Sequence, residues 1–148
     1  MKKIEYISIT LILCFLALSG VRGQEVSWMT WEEAVQKAST DPQPKKLFID
    51  VYTDWCGWCK VMDKKTFTDP EVAAYMNANF NAVKLDYDSS EKLDFFGEKM
   101  TARELADQYK VPGLPTILLV SSDSKKSKKM VGYKKPEPFL KGLKSFVP

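Results

Sequence analysis

The sequence predicts an α/β layer sandwich built on a central mixed β-sheet flanked by helices. Three observations carry that expectation. Apolar, β-rich runs alternate with amphipathic helical runs, and the alternation ends in a hairpin. Such an order puts helices over a sheet that has both parallel and antiparallel neighbours. A Cys-x-x-Cys pair, Cys56 and Cys59, comes just after a strand-like run, at the strand end where open α/β sheets place their sites. Finally, 148 residues at 45% hydrophobic and 28% charged suit one domain with one sizeable core.

The elements follow in chain order. Residues 30–38 read as a helix: Thr30 and Glu33 form a capping box, and Trp31, Ala34, Val35 and Ala38 share one face. Asp41-Pro42-Gln43-Pro44 ends it. Residues 47–52 are apolar except for Asp50 and read as a buried central strand. The cysteines open a helix that runs to about Phe67, and Asp69-Pro70 starts a short one, with Pro at the first helical position. Residues 81–87 read as a second strand. Thr101 and Glu104 make another capping box, for a helix through Tyr109. Residues 111–115, Val-Pro-Gly-Leu-Pro, form a turn into the strand 116–120. Residues 121–129 are a polar, lysine-rich hairpin tip, and 130–133 are the last strand. Phe139, Leu140, Leu143 and Phe146 mark one face of a closing helix.

The first 23 residues read separately, as a secretory signal. A short basic start (Met1-Lys2-Lys3) precedes the apolar run 7–18, and Val21-Arg22-Gly23 offers a cleavage region. The apolar run falls short of the ~20 residues of a spanning helix. A lipid anchor on Cys14 is disfavoured because Leu13 precedes it where a small residue belongs. The expected organisation is therefore a signal over 1–23 and one domain over 24–148. Removing the signal takes Lys+Arg from 22 to 19 and Asp+Glu from 19 to 18, so net charge falls from +3 to +1. A near-neutral domain gives no reason to expect a nucleic-acid partner.

Export also sharpens the cysteine count. Of three cysteines, Cys14 leaves with the signal, and Cys56 and Cys59 remain in a compartment where disulfides persist. A disulfide scaffold would need more cysteines, further apart. At this spacing on a helix's first turn the two can close a small ring. The first thiol meets the unpaired N–H groups and dipole of the helix start, which stabilise a thiolate and lower its pKa below the free value of about 8.5. Cys56 is then the attacking thiol, and Cys59, one turn deeper, resolves the mixed disulfide. Haem attachment would need His after the second cysteine, where Lys60 stands. Zinc would need four ligands, and the chain has no His. Two-thiolate Cu(I) binding remains an alternative. No cofactor is expected beyond the redox-active pair, and no metal.

The segment 46–60, KLFIDVYTDWCGWCK, resembles the active-site segment of the thioredoxin superfamily, and VPGLPT at 111–116 resembles its second signature, the cis-proline loop. The stretch YTDWCGWCKVMDKKTFTDPEV is similar to the branch that holds the C-terminal domain of the bacterial transmembrane thiol:disulfide interchange reductase and small exported thioredoxin-like proteins. The resemblance runs from about Trp28 to the C-terminus. It implies a thioredoxin-like three-layer sandwich and thiol–disulfide oxidoreductase activity. It also implies roles. Asp50, six residues before Cys56, matches a buried acid that exchanges protons with the second cysteine. Lys84 matches a lysine beside that acid. Trp55 matches the aromatic before the first cysteine, Pro115 the cis-proline facing the pair, and Gly132 a glycine near the active-site surface. Trp55, Gly57, Trp58, Leu114 and Pro115 are thus the residues expected to meet substrate.

Three departures bear on direction. Trp58 stands where thioredoxin has Pro, and the pair between the cysteines tunes potential. The segment 89–110 is longer than usual; Leu93, Phe95, Phe96 and Met100 in it are expected to cap the core. No His lies between the cysteines, unlike many oxidising members. The expected function is an exported, periplasmic or otherwise extracytoplasmic, protein-disulfide reductase acting as a monomer. It would need a membrane protein to supply electrons, because no G-x-G-x-x-G nucleotide fingerprint is present. The alternatives are a disulfide oxidase or isomerase, or a non-catalytic Cu(I)- or peptide-binding module.

Overall fold

The structure, a computed structural model, describes residues 25–147; the expected signal segment and Cys14 lie outside them. The elements are β1 (Trp28–Met29), α1 (Trp31–Thr40), β2 (Lys46–Tyr52), α2 (Gly57–Lys65), α3 (Pro70–Asn79), β3 (Phe80–Asp86), β4 (Lys92–Phe95), β5 (Glu98–Thr101), α4 (Ala102–Gln108), β6 (Thr116–Val120), β7 (Ser127–Val131) and α5 (Pro136–Lys144).

Five strands form one sheet in the order β1-β3-β2-β6-β7. β2 runs parallel to β3 and antiparallel to β6, so the sheet is mixed. β2 is central because its residues 47–51 are buried on both faces. Alternation along it splits the core in two. Leu47, Ile49 and Val51 face a layer formed with Ala34 and Ala38 of α1 and Leu105 of α4. Phe48 faces the opposite layer, with Met62 of α2, Val72 and Met76 of α3, and Phe139 and Leu143 of α5. Phe48 is the hub there: the Trp28, Phe67, Phe80 and Phe139 rings all lie about 6 Å from it. This is the three-layer sandwich the sequence predicts.

The differences from the sequence reading are local. β1, two residues long, was not expected; such a short run has no period of its own and is strand only because Trp28 and Met29 pair with Ala82 and Val83. β7 starts at Ser127 rather than Met130, so Lys128 and Lys129 sit in the strand and not at the tip. Lysines are at home on an exposed edge, where they discourage pairing with other chains. The long segment 89–110 contains a hairpin, β4–β5, as a separate two-stranded sheet. It caps the first core layer as expected: Phe95 and Met100 are buried, with Leu93 and Phe96 packed against them.

Both predicted capping boxes are present. The second matters for the site, because α4 feeds the loop 111–115. Thr101 Oγ1 accepts from the Glu104 N–H at 3.2 Å, and Glu104 accepts from the Thr101 N–H at 2.7 Å. The Thr101 N–H and the Thr101 hydroxyl, at 3.1 Å, both donate to the Glu104 carboxylate and hold it below its usual range. Thr101→Ala should cost about 1 kcal/mol, read as a lower urea midpoint at unchanged m-value.

Candidate active site

The site assembles where β2 ends and α2 begins. Cys56 is the N-cap of α2, in extended backbone, and its Sγ accepts the Cys59 N–H at 3.2 Å. The first thiol therefore already occupies the place where helix N–H groups stabilise negative charge. Cys56 and Cys59 are joined as a disulfide, Cα atoms 5.3 Å apart, and both are largely buried. Gly57 and Trp58 between them are exposed.

The strand that leads into the pair carries a charged group inside the sheet. Asp50 of β2 is 2% exposed, which sets aside an edge, solvent-facing carboxylate. Asp50 and Lys84 are register partners on β2 and β3. The Lys84 ammonium donates to Asp50 at 2.8 Å and to Asp63 at 2.6 Å. Asp63 was not singled out from the sequence. Its signal was available: it lies four residues after Cys59 in α2, and such residues share a helix face. Burial raises the Asp50 carboxyl above its ordinary value, and Lys84 offsets this only in part. Burial pulls the Lys84 ammonium down, but Asp50 and Asp63 together outweigh it, and its pKa is raised. Burial and the Lys84 counter-charge thus act on this carboxyl in opposite directions, and burial prevails.

The loop 111–115 faces the disulfide from the other side. The Leu114–Pro115 peptide is cis. The loop is held at both ends. Lys129 donates to the Tyr109 and Lys110 carbonyls, both at 2.8 Å, at the end of α4. Thr116 Oγ1 donates to the Gly113 carbonyl at 2.6 Å, and Gly132 N–H to the Pro115 carbonyl at 2.8 Å. Gly132 has φ of 76°, a conformation that suits glycine.

Two apolar grooves meet at Leu114. One, of about 290 Å³, is lined by Trp55, Cys56, Tyr87, Val111 and Leu114 among others. The other, of about 340 Å³, is lined by Trp58, Leu114, Pro115, Gly132 and Tyr133. A larger groove between α3 and α5 contains none of the site residues. Trp55 and Trp58 are 72% and 61% exposed. Neither is loose: Trp55 Nε1 donates to Asp88 at 2.8 Å, and the Trp58 ring stacks on Tyr133 with centroids 5.5 Å apart. Trp58 thus turns away from its own helix towards the residues after β7.

A Cys-x-x-Cys disulfide at a helix N-cap, a buried acid on the strand before it and a cis-proline loop bordering a groove shared with Cys56 make a thioredoxin-like arrangement. The family model Thioredox_DsbH, described as "Protein of unknown function, DUF255", matches residues 17–135. The chain belongs to this family. Among its relatives is the disulfide bond reductase DsbH of Chlamydia pneumoniae, 24% identical over 110 residues, or 74% of this chain and 65% of that one. Another is the thiol:disulfide interchange protein DsbD of Colwellia psychrerythraea, 32% identical over 124 residues, 82% of this chain but 19% of the relative. The chain spans less than a fifth of the DsbD proteins it matches. Among solved structures, a DsbH oxidoreductase superposes with a TM-score of 0.66 at 20% identity, covering 86% of this chain and 90% of that one, and shows the shared fold. A protein of Bacteroides thetaiotaomicron proposed to be a disulphide-isomerase superposes at 0.65 with 29% identity, over 84% and 94% of the two chains. The oxidised C-terminal domain of Neisseria meningitidis DsbD superposes at 0.51 with 26% identity, over 68% and 79%.

Proposed function

We propose that this chain is an exported thiol–disulfide reductase that reduces disulfides in proteins or peptides and is recharged by a membrane electron donor. The observation that carries the reading is the Cys56–Cys59 disulfide at the start of α2, with Cys56 as its N-cap. In the dithiol form, the Cys56 thiolate attacks one sulfur of a substrate disulfide. A Cys56–substrate disulfide forms, and the other substrate sulfur leaves as a thiolate. Cys59 then gives its proton to Asp50 and attacks Cys56 Sγ. The enzyme disulfide closes, and the second substrate sulfur leaves as a thiolate. Two electrons have passed to the substrate, and two must return from a donor. Support for the reducing direction comes from the relative named as a disulfide bond reductase and from the absence of His between the cysteines. Support for export comes from the signal-like residues 1–23, which leave a domain over 24–148. Among the described residues no helix is long and apolar enough to cross a membrane.

In this reading the substrate lies extended across the cis-proline loop. Its backbone runs beside Leu114 and Pro115, and its side chains enter the two grooves flanked by Trp55 and Trp58. Gly57 leaves open space over the disulfide, since a Cβ there would meet nothing within 4 Å.

The test is the reduction potential of Cys56–Cys59, obtained by equilibrating residues 24–148 with glutathione and dithiothreitol buffers. The reductase reading expects about −230 mV or lower. A value of about −180 mV or higher overturns the direction and points to disulfide formation or isomerisation.

A further inference from the structure

Lys84 is enclosed by more than its two carboxylates. Its ammonium lies 4.8 Å from the Trp28 ring centroid, 5.0 Å from that of Tyr52 and 5.5 Å from that of Phe67. The three rings come from three places in the chain. Trp28 is in β1, Tyr52 ends β2, and Phe67 follows α2. All three distances are within the ~6 Å at which a ring face attracts a cation. Trp28 is itself held edge-on by Phe67 at 5.2 Å and by Phe48 at 6.0 Å. β1 is only two residues long and pairs with β3 at Ala82 and Val83. Trp28 shares its face of the sheet with Ala82, and Lys84, two residues further along β3, projects from the same face.

A lysine that answers only to two carboxylates would have four carbon–carbon torsions free to carry its charge towards water. Its side chain is 29% exposed, and that of Asp63 is 41% exposed, so solvent is within reach. The rings remove that freedom. They also explain why the charge stays in a half-buried place at all: each ring face offers part of what water would have supplied.

We propose that Trp28, Tyr52 and Phe67 form an aromatic box that fixes the Lys84 ammonium on Asp50, and that Trp28 is thereby a positioning residue for proton transfer from Cys59. The inference rests on the exchange reading above and adds to it a residue outside every motif of the site. The groups facing Lys84 are Asp50 and Tyr52 from β2, Asp63 from α2, and the Trp28 and Phe67 rings. Asp86 and Asp54 act on Tyr52, and neither is among the groups that shift Lys84. With the box open, the ammonium leaves Asp50 for part of the time. Negative charge at Asp50 and at Cys59 then loses its counter-charge, and the thiol of Cys59 gives up its proton at higher pH.

The experiment uses the full chain carrying Cys14→Ser, reduced and mixed with 5,5′-dithiobis(2-nitrobenzoate). Cys56 releases one thionitrobenzoate and keeps the other as a mixed disulfide. Cys59 then attacks Cys56 and releases the second, with its proton passing to Asp50. The pH midpoint of this second phase reports on Cys59. Trp28→Leu should raise the midpoint by about half a pH unit. Trp28→Phe, which keeps a ring, should recover most of that shift. In a Lys84→Met background, Trp28→Leu should have no further effect, because the two act as one unit. Should Trp28→Leu fail to fold, Tyr52→Leu opens the box from its other side and should raise the midpoint likewise. An unchanged midpoint in the folded variant, or the same shift with Lys84 absent, overturns the proposal. A parent chain that releases only one thionitrobenzoate overturns the exchange reading instead.

Discussion

Cys56→Ser should lose disulfide exchange altogether, by on the order of 10³-fold or more, whereas Cys59→Ser should complete the first step and stop. The asymmetry comes from the two positions. Cys56 caps α2 and borders the groove at Leu114, so it meets the substrate. Cys59 is one turn inside the helix and 3% exposed, so its partner is Cys56. A serine at 56 keeps the cap hydrogen bond but cannot form a sulfur–sulfur bond. A serine at 59 leaves a reactive thiolate with nothing to resolve the mixed disulfide. Mass spectrometry of Cys59→Ser after incubation with a disulfide-bonded protein should therefore find a covalent adduct, and Cys56→Ser should give none. Full turnover by Cys59→Ser would assign the chemistry to a single cysteine and remove Asp50 from the mechanism.

Asp50→Asn should slow closure of the enzyme disulfide by about 10²-fold, the lower range for a lost general base, and should make the folded protein more stable at pH 7. The two effects share one cause. Burial raises the Asp50 carboxyl even with Lys84 beside it, so the folded state binds this proton more tightly than the unfolded chain does. Where the folded state holds more protons, stability falls as pH rises. The loss begins near the unfolded carboxyl value of about 3.9 and is complete above the folded value. Asparagine resembles the protonated acid and never ionises. Its advantage should be present at pH 7 and should vanish at about pH 3, below the unfolded value. Urea midpoints of the two proteins at both pH values would show this. Equal midpoints at pH 7 would mean that Lys84 fully compensates the buried charge. A higher midpoint for Asp50→Asn at pH 7 would mean that the chain keeps an ionisable group where a neutral one folds better, as expected of a residue retained for proton transfer.

Much of the site was legible because its signals are short-range. The Cys56–Cys59 spacing, the strand before it and the helix after it lie within twenty residues. Asp50 stood out as the one charge in an apolar strand, and such a charge needs a partner or a task. Thr30 with Glu33 and Thr101 with Glu104 announced two helix starts through bonds that span three residues. Periodicity was enough for the core face of α1 and for Phe139, Leu140 and Leu143 of α5, all buried, whereas Phe146 lies past the end of that helix and is only partly buried.

Long-range pairing decided the rest. Nothing local marks Trp28 as strand or as a neighbour of Lys84; β1 exists through its partners on β3, and its ring reaches the ammonium only once the sheet is formed. The start of β7 was hidden for the same reason, since Ser127 to Lys129 have the composition of a loop and take their conformation from β6. Trp55 and Trp58 could be numbered from the sequence, but their hydrogen bond to Asp88 and stack on Tyr133 join residues 33 and 75 positions away. The sequence by itself determined the Cys56–Cys59 pair at a helix start, a single acid in the buried strand before it and what kind of sheet holds them, because those follow from residue type and near-neighbour spacing. Only the tertiary structure decided that Lys84 is shared between Asp50 and Asp63 and enclosed by three rings, because burial and charge pairing across strands and helices are properties of the folded packing and of no local segment.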